Sequence, residues 1–214
     1  VFNHILNTGQ VPTEWQLANV VEIYKGKGSH TDPEMYRPIS LLSTAYKIFA
    51  RILQSRLEAS IDKDLRSTQF GFRRNRSCSQ PLHIIRRLME SAEAHKSPLY
   101  LVLLDWEKAF DKIHPQALLT SLARYGVQPQ FIKIIESIYQ KPQFQVQAAG
   151  SSSAVHTAHT GIKQGCPLSP YLFLVVHSAI MHDVTQLMTN NGTTPLPTIH
   201  SQHTPLFDLA YADD

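Results

Sequence analysis

The chain has 214 residues, 43% hydrophobic and 17% charged, with a formal net charge of +3. That is enough chain for one core or two small lobes around a cleft, and too apolar for global disorder. Two cysteines, Cys78 and Cys166, exclude a disulfide framework, and no apolar run approaches the roughly 18–20 residues a bilayer requires. Neither cysteine has metal-ligand spacing, so a reducing, intracellular setting without membrane partners is expected. Val1-Phe2-Asn3-His4 does not read as a signal peptide. Charge is uneven. From Lys47 to Arg87 ten Lys and Arg stand against three Asp and Glu, leaving ten basic against fourteen acidic residues elsewhere. A basic segment beside an acidic remainder suits phosphates in one place and cations in another, or is simply a solvated helix face.

Taken in order, Ala18 to Ile23 reads as a strand, and Lys25-Gly26-Lys27-Gly28 as a turn presenting cations. Arg37 precedes Pro38, which biases it to an extended backbone. Beyond Ser43, Tyr46, Phe49, Ala50, Leu53 and Leu57 recur at helical spacing, with Lys47, Arg51 and Arg56 interleaved. Residues 64–78 break that period, and Gln69-Phe70-Gly71-Phe72-Arg73-Arg74-Asn75-Arg76 alternates aromatics with Arg. Such a loop can stack on bases and hold phosphates, or be pinned to the core by its Phe residues. A helix is predicted over about 79–95, with Leu82, Ile85, Leu88 and Met89 as its core stripe.

Six apolar residues, Leu99 to Leu104, then run unbroken into Asp105 and read as a strand buried on both faces. An Asp at such a tip either caps the next helix or meets a cation. Helices follow over His114–Tyr125, closed by Gly126, and over Pro129–Tyr139. Strands are predicted at 144–148 and near 154–160. Ser169-Pro170 starts a very apolar helix running to about Met188. Residues 190–206, with His200 and His203, read as a loop, and Phe207 to Asp214 as a strand ending in two carboxylates. Asp105, Asp213 and Asp214 offer oxygen ligands only, which favours Mg²⁺ or Mn²⁺. Two such ions about 4 Å apart support in-line phosphoryl displacement.

The blocks Asp105-Trp-Glu-Lys-Ala-Phe110-Asp111, Gln164-Gly165-Cys-Pro-Leu168-Ser169-Pro170 and Tyr211-Ala-Asp213-Asp214 resemble, in order and spacing, the palm of reverse transcriptases. Upstream, Tyr36-Arg37-Pro38-Ile39-Ser40-Leu41, Lys47, Arg51, Arg56 and Gln69-Phe-Gly71-Phe72-Arg73 are similar to fingers blocks. The wording is most similar to non-LTR, LINE-like retrotransposon enzymes, with group II intron enzymes as cousins. The resemblance implies an α+β right-hand fold with an antiparallel palm sheet backed by helices. Residues 1–96 would be fingers-like and 97–214 palm-like. It implies RNA-directed DNA synthesis, adding dNTP to a DNA primer on an RNA template, in the nucleus of a eukaryotic host.

Position by position, the resemblance makes Asp105, Asp213 and Asp214 the catalytic metal ligands and Phe110 a steric gate against ribonucleotides. Gln164 and Gly165 would line the nucleotide pocket, and Arg37 and Lys25 would meet the triphosphate. Phe72, Arg73, Arg74, Arg76, Lys47 and Arg51 would hold nucleic acid. The family continues past the Tyr-x-Asp-Asp turn into a partner strand and a helical thumb. The chain is therefore expected to be a fragment, weakly active or inactive by itself. A non-catalytic RNA-binding remnant and a group II intron-type maturase are the alternatives.

Overall fold

The computed structural model describes residues 1–148, 150–190, 198–199, 204–206 and 208–213. Asp214, His200 and His203 lie outside the described residues, as do the other positions between these ranges. The fold is α+β, a sheet backed by a helical core.

The chain opens with helix α1 (Phe2–Thr8), closed by Gly9 in the left-handed conformation, where no Cβ resists it. Strand β1 (Leu17–Tyr24) then pairs antiparallel with β2 (Tyr36–Leu41), placing Tyr24 opposite Tyr36 and Ile23 opposite Arg37. The Lys-Gly-Lys-Gly stretch does form the connecting loop. Gly26 and Gly28 both take positive φ, and the Tyr24 hydroxyl donates to the Gly28 carbonyl at 2.6 Å.

Helix α2 (Thr44–Ile61) starts where the Ser43 hydroxyl accepts from the Tyr46 N–H at 3.2 Å. Its predicted stripe is buried in full, Tyr46, Phe49, Ala50, Leu53 and Leu57 all facing inward. After α3 (Ser79–Ala94) come α4 (Pro115–Arg124) and α5 (Pro129–Tyr139), each begun by a proline in its first turn. Strand β3 (Gln143–Ala148) lies parallel to β1, while β4 (Ser151–Ser152) and β5 (His156–Thr157) are short antiparallel partners of β3. Helix α6 (Ser169–Asn190) is central, with Leu172 to Ser178 buried on every side, and α4 packs on both α5 and α6. A two-stranded ribbon, β6 (Thr198–Ile199) with β7 (Thr204–Pro205), follows within the stretch expected to be loop.

One hydrophobic core runs from Ile5 to Val176 and takes in α1, α2, α4, α5 and α6. Residues before and after the expected 96/97 boundary therefore share a core, and β1 pairs with β3 across it. The sheet is mixed, with one parallel pair, and is built from the first 41 residues plus 143–157.

Three sequence expectations are corrected. Leu82 and Met89 of α3 are exposed, and Pro81 is that helix's only fully buried residue. Residues 99–104 form no ladder among the described residues and lie open, Leu103 at 94% exposure. Of the strand expected at 207–214, the described part is a single bridge at Ala210 followed by a turn. The two strand corrections share a reason. Apolar character says that a segment gains from burial, but a strand also needs a neighbouring strand's N–H and C=O groups, and among the described residues none runs beside 99–104.

Candidate functional site

Two motif blocks are joined by backbone. The Lys108 backbone is left-handed (φ 53°), and its carbonyl accepts from the Asp111 N–H at 2.9 Å and the Lys112 N–H at 3.1 Å. Beyond this tight turn, the Phe110 carbonyl accepts from the Ile162 N–H at 2.9 Å. The Ile113 carbonyl accepts from the Gly161 N–H at 2.7 Å. A Cβ on Gly161 would meet the Asp111 carbonyl oxygen at 3.0 Å. Gln164 Nε2 donates to Asp111 Oδ1 at 2.8 Å, and the Gln164 carbonyl accepts from the Ser40 N–H of β2 at the same distance. Gly165 has φ +102°, and a Cβ there would stand 2.8 Å from the Ser40 carbonyl oxygen. The close approach that requires a glycine at 165 is therefore to β2, which also carries Arg37.

The turn of Tyr211, Ala212 and Asp213 docks on the 68–71 segment. The Ala210 N–H donates to the Thr68 carbonyl at 3.0 Å and the Phe70 N–H to the Ala210 carbonyl at 2.8 Å. Gln69, 1% exposed, contacts both peptide groups of Ala212 through its side chain. Arg66 pairs with Asp208 just before the turn and donates to the Thr185 hydroxyl of α6 at 3.0 Å.

A row of aromatic rings runs beneath these segments. Phe72 meets Phe110 edge-on at 6.4 Å, Phe110 stacks on Phe173 at 5.1 Å, and Phe173 stacks on His177 at 5.7 Å. Trp106 closes the row, edge-on to His177 at 5.7 Å. Burial pushes the His177 imidazole below its ordinary pKa, although Asp208 and Asp213 pull it the other way. Trp106, next to Asp105, and Asp213 thus both lie in the surroundings of one side chain on α6.

Asp105 is exposed and Asp213 half-buried. Among the described residues no three Asp, Glu, His or Cys side chains gather as a metal cage, and Asp214 is not among them. The donor chemistry nevertheless fits a hard cation, since Asp105 and Asp213 bring carboxylate oxygens without His or Cys.

The expected cationic contacts divide. Arg37, Arg51 and Lys25 are exposed, Lys25 Nζ donating to the Glu34 carbonyl at 2.6 Å. Lys47 is half-buried, and Arg51 donates to Gln54 on its own helix at 2.5 Å. Phe72 is exposed with a left-handed backbone (φ 54°). Arg74 is exposed and paired with Glu58 at 3.0 Å. Arg76 donates to the carbonyls of Ser67 at 2.5 Å and Gln69 at 3.2 Å, and lies over the Phe70 ring.

Arg73 is a correction. Its Nε donates to Asp62 Oδ1 at 2.9 Å, Nη1 to the carbonyls of Arg66 and Gln69, and Nη2 to the Asp62 carbonyl and Oδ2. All five N–H donors are occupied inside the protein, so none is left for a template phosphate. Burial pushes the Asp62 carboxyl up, but the hydrogen bonds and charge of Arg73, with the Tyr171 hydroxyl, hold it below its ordinary value.

Sequence reasoning missed the roles of Gln69 and His177 and left Lys163 unassigned. Lys163 is buried, with Nζ donating to the Trp15 carbonyl at 2.6 Å and lying 5.3 Å from the Tyr46 ring centre. An uncharged Gln and a His inside apolar runs carry no periodic signal that marks them.

The fold and the joined blocks define a right-hand nucleic-acid polymerase architecture. The structure of apo telomerase from Candida tropicalis, truncated from its C-terminal domain, superposes with a TM-score of 0.56. The match covers 87% of this chain and 43% of that one at 15% identity. Residues 24–214 match the family described as reverse transcriptase (RNA-dependent DNA polymerase), and the chain belongs to that family. The RNA-directed DNA polymerase from mobile element jockey of Drosophila melanogaster is 31% identical over 180 residues, 83% of this chain and 20% of that protein. The Pol polyprotein of the type-2 retrotransposable element R2DM, also of Drosophila melanogaster, is 31% identical over 181 residues, 85% of this chain and 17% of that protein. The transposon TX1 149 kDa protein of Xenopus laevis is 31% identical over 173 residues, 81% of this chain and 13% of that protein. These relatives agree with the non-LTR resemblance of the motifs. The chain spans about a fifth or less of their lengths. No described helix is long and apolar enough to cross a membrane.

Proposed function

We propose that this chain is the fingers-and-palm part, 1–96 and 97–214, of an RNA-directed DNA polymerase of a retrotransposon. It would extend a DNA primer with dNTP on an RNA template, in the nucleus where the host is eukaryotic. The observation that carries the reading is the meeting of three motif blocks at one place. Asp111 is bonded to Gln164, Trp106 meets the His177 ring edge-on, and Gln69 reaches from His177 to Ala212, the residue before Asp213. Asp105, Asp213 and Asp214 would hold Mg²⁺ or Mn²⁺. When bound, such ions lower the pKa of an attacking hydroxyl and neutralise a leaving oxygen.

The chain's own residues supply positioning. Phe110, held between Phe72 and Phe173, would stand as the wall under the incoming sugar. Gln164, anchored to Asp111 and to β2, would fix the floor of the nucleotide pocket, with Gly165 beside it. Exposed Arg37 would meet the triphosphate, where a guanidinium offers paired donors, and Lys25 lies one loop away. Phe72, Arg74, Arg76, Lys47 and Arg51 remain the candidates for nucleic-acid contact. A purely RNA-binding remnant is less well supported, because Arg66 and Arg73 are engaged within the protein.

In the full-length protein, Asp213→Asn should abolish Mg²⁺-dependent extension of a DNA primer on an RNA template, with an unchanged circular-dichroism spectrum. Undiminished extension by that variant would overturn the assignment.

A further inference from the structure

Residues 68–70 run parallel to the approach to the Tyr211–Asp213 turn, and the backbone supplies two rungs. These are Ala210 N–H to the Thr68 carbonyl at 3.0 Å and Phe70 N–H to the Ala210 carbonyl at 2.8 Å. The backbone cannot supply the next, because the chain turns away at Phe72, whose φ is positive. The Gln69 side chain takes its place. Its Oε1 accepts from the Ala212 N–H at 2.9 Å and from the Gly71 N–H at 2.8 Å. Its Nε2 donates to the Ala212 carbonyl at 3.0 Å and lies 3.4 Å from His177 Nδ1. The amide oxygen thus accepts twice, and one amide hydrogen is spent on the Ala212 carbonyl.

What this amide holds is unusual backbone. Ala212 sits at φ 60°, a conformation non-glycine residues seldom adopt without support from their surroundings. The opposite side of the turn is equally close-fitting. A Cβ on Gly71 would stand 2.1 Å from the Ala212 nitrogen, so the turn passes only because position 71 has no side chain. Asp213 is the next residue along, and its direction is set by the Ala212 dihedrals.

We propose that Gln69 is a positioning residue for the catalytic turn. Its amide stands in for a missing strand rung and fixes the peptide plane from which the Asp213 carboxylate projects. The proposal rests on the reading above that Asp213 is a metal-binding carboxylate. A primary amide of this length is the one side chain that offers a donor and an acceptor at the spacing of a peptide's own C=O and N–H. Glu keeps the acceptor and loses the donor, whereas Met keeps the length and loses both.

The test uses the full-length protein in steady-state primer extension on an RNA template, with Mg²⁺ titrated and with thermal melting and circular dichroism as fold controls. Gln69→Met should lower kcat about 10–100-fold, as removal of supports behind metal ligands does, and raise the Mg²⁺ concentration for half-maximal rate. The KM for dNTP should stay within about twofold, because Gln164 and Arg37 do not depend on this contact. Gln69→Glu is isosteric and keeps the Ala212 N–H contact, so it guards against loss of folding. It should show the same split, with part of the rate returning at high Mg²⁺. Both variants within twofold of wild type in kcat and in Mg²⁺ dependence would overturn the proposal. So would a loss of kcat matched by an equal rise in KM for dNTP and a lowered melting temperature in both variants, the signature of a merely structural role. Activity in Asp213→Asn would instead remove the functional reading itself, whatever position 69 does.

Discussion

Leu172 to Val176 and Leu99 to Leu104 are runs of nearly the same composition with opposite fates. The first is buried on every side in α6, and the second lies open from Tyr100 to Leu104. The difference is where each finds hydrogen-bond partners. A helix satisfies its own N–H and C=O groups four residues away, so α6 needs only apolar neighbours, which α4 and the Phe110 ring provide. An extended run must borrow another strand's edge before it can leave water, and none is beside 99–104 among the described residues. Apolar content creates the drive to bury, and geometry decides whether the backbone lets it happen.

That comparison can be broken most directly at its buried end. Leu172→Ala removes a fully buried side chain from the centre of the core. It should lower unfolding free energy by about 2–5 kcal/mol in urea titrations. A loss below about 1 kcal/mol would mean that α6 is not the packed centre described here.

Lys163 sharpens the comparison from inside the core, because it is a buried group that is not apolar. Burial pushes its pKa down to about 8, with the Cys166 thiol beside it pulling the other way. The unfolded chain holds that proton up to about pH 10.4, so between pH 8 and 10 it binds more protons than the folded state. Stability should therefore rise with pH across this window, by about 1–3 kcal/mol once the hydrogen bond to Trp15 is allowed for. Above pH 10 the buried tyrosines oppose the trend, since burial raises Tyr46, Tyr139 and Tyr171 above their ordinary values. Lys163→Met should flatten the rise between pH 8 and 10 in urea titrations, and an unchanged slope would exclude Lys163 as its source.

The smallest effect belongs to the exposed run. Leu103→Gln should change unfolding free energy by less than about 0.5 kcal/mol, because nothing is lost from a core. A cost above 2 kcal/mol, measured the same way, would show that residues 99–104 are covered in solution.

Helices α2 to α6 were legible because their signals are local, whereas the short α1 was not expected. The α2 stripe repeats every three to four residues, Ser43 and the prolines at the starts of α4 and α5 mark their beginnings, and Gly126 follows the end of α4. Local pattern also misled. The α3 stripe has the period of a core helix, yet Leu82 and Met89 face water, because among the described residues no element packs over them. At the candidate site, Asp105, Phe110, Gln164 and Asp213 were chosen by motif, and the structure joins their segments through Asp111 and His177.

By itself the sequence determined the residue types at the site, helices α2 to α6, and membership of the reverse transcriptase family, since motif order and helical period lie along the chain. The tertiary structure alone decided that Arg73 serves Asp62, that Gly165 makes room for Ser40, and that Gln69 clasps Ala212. Each is a contact between residues 11 to 143 positions apart. A side chain's local sequence fixes what it can donate or accept, and only the folded path fixes what stands 3 Å away.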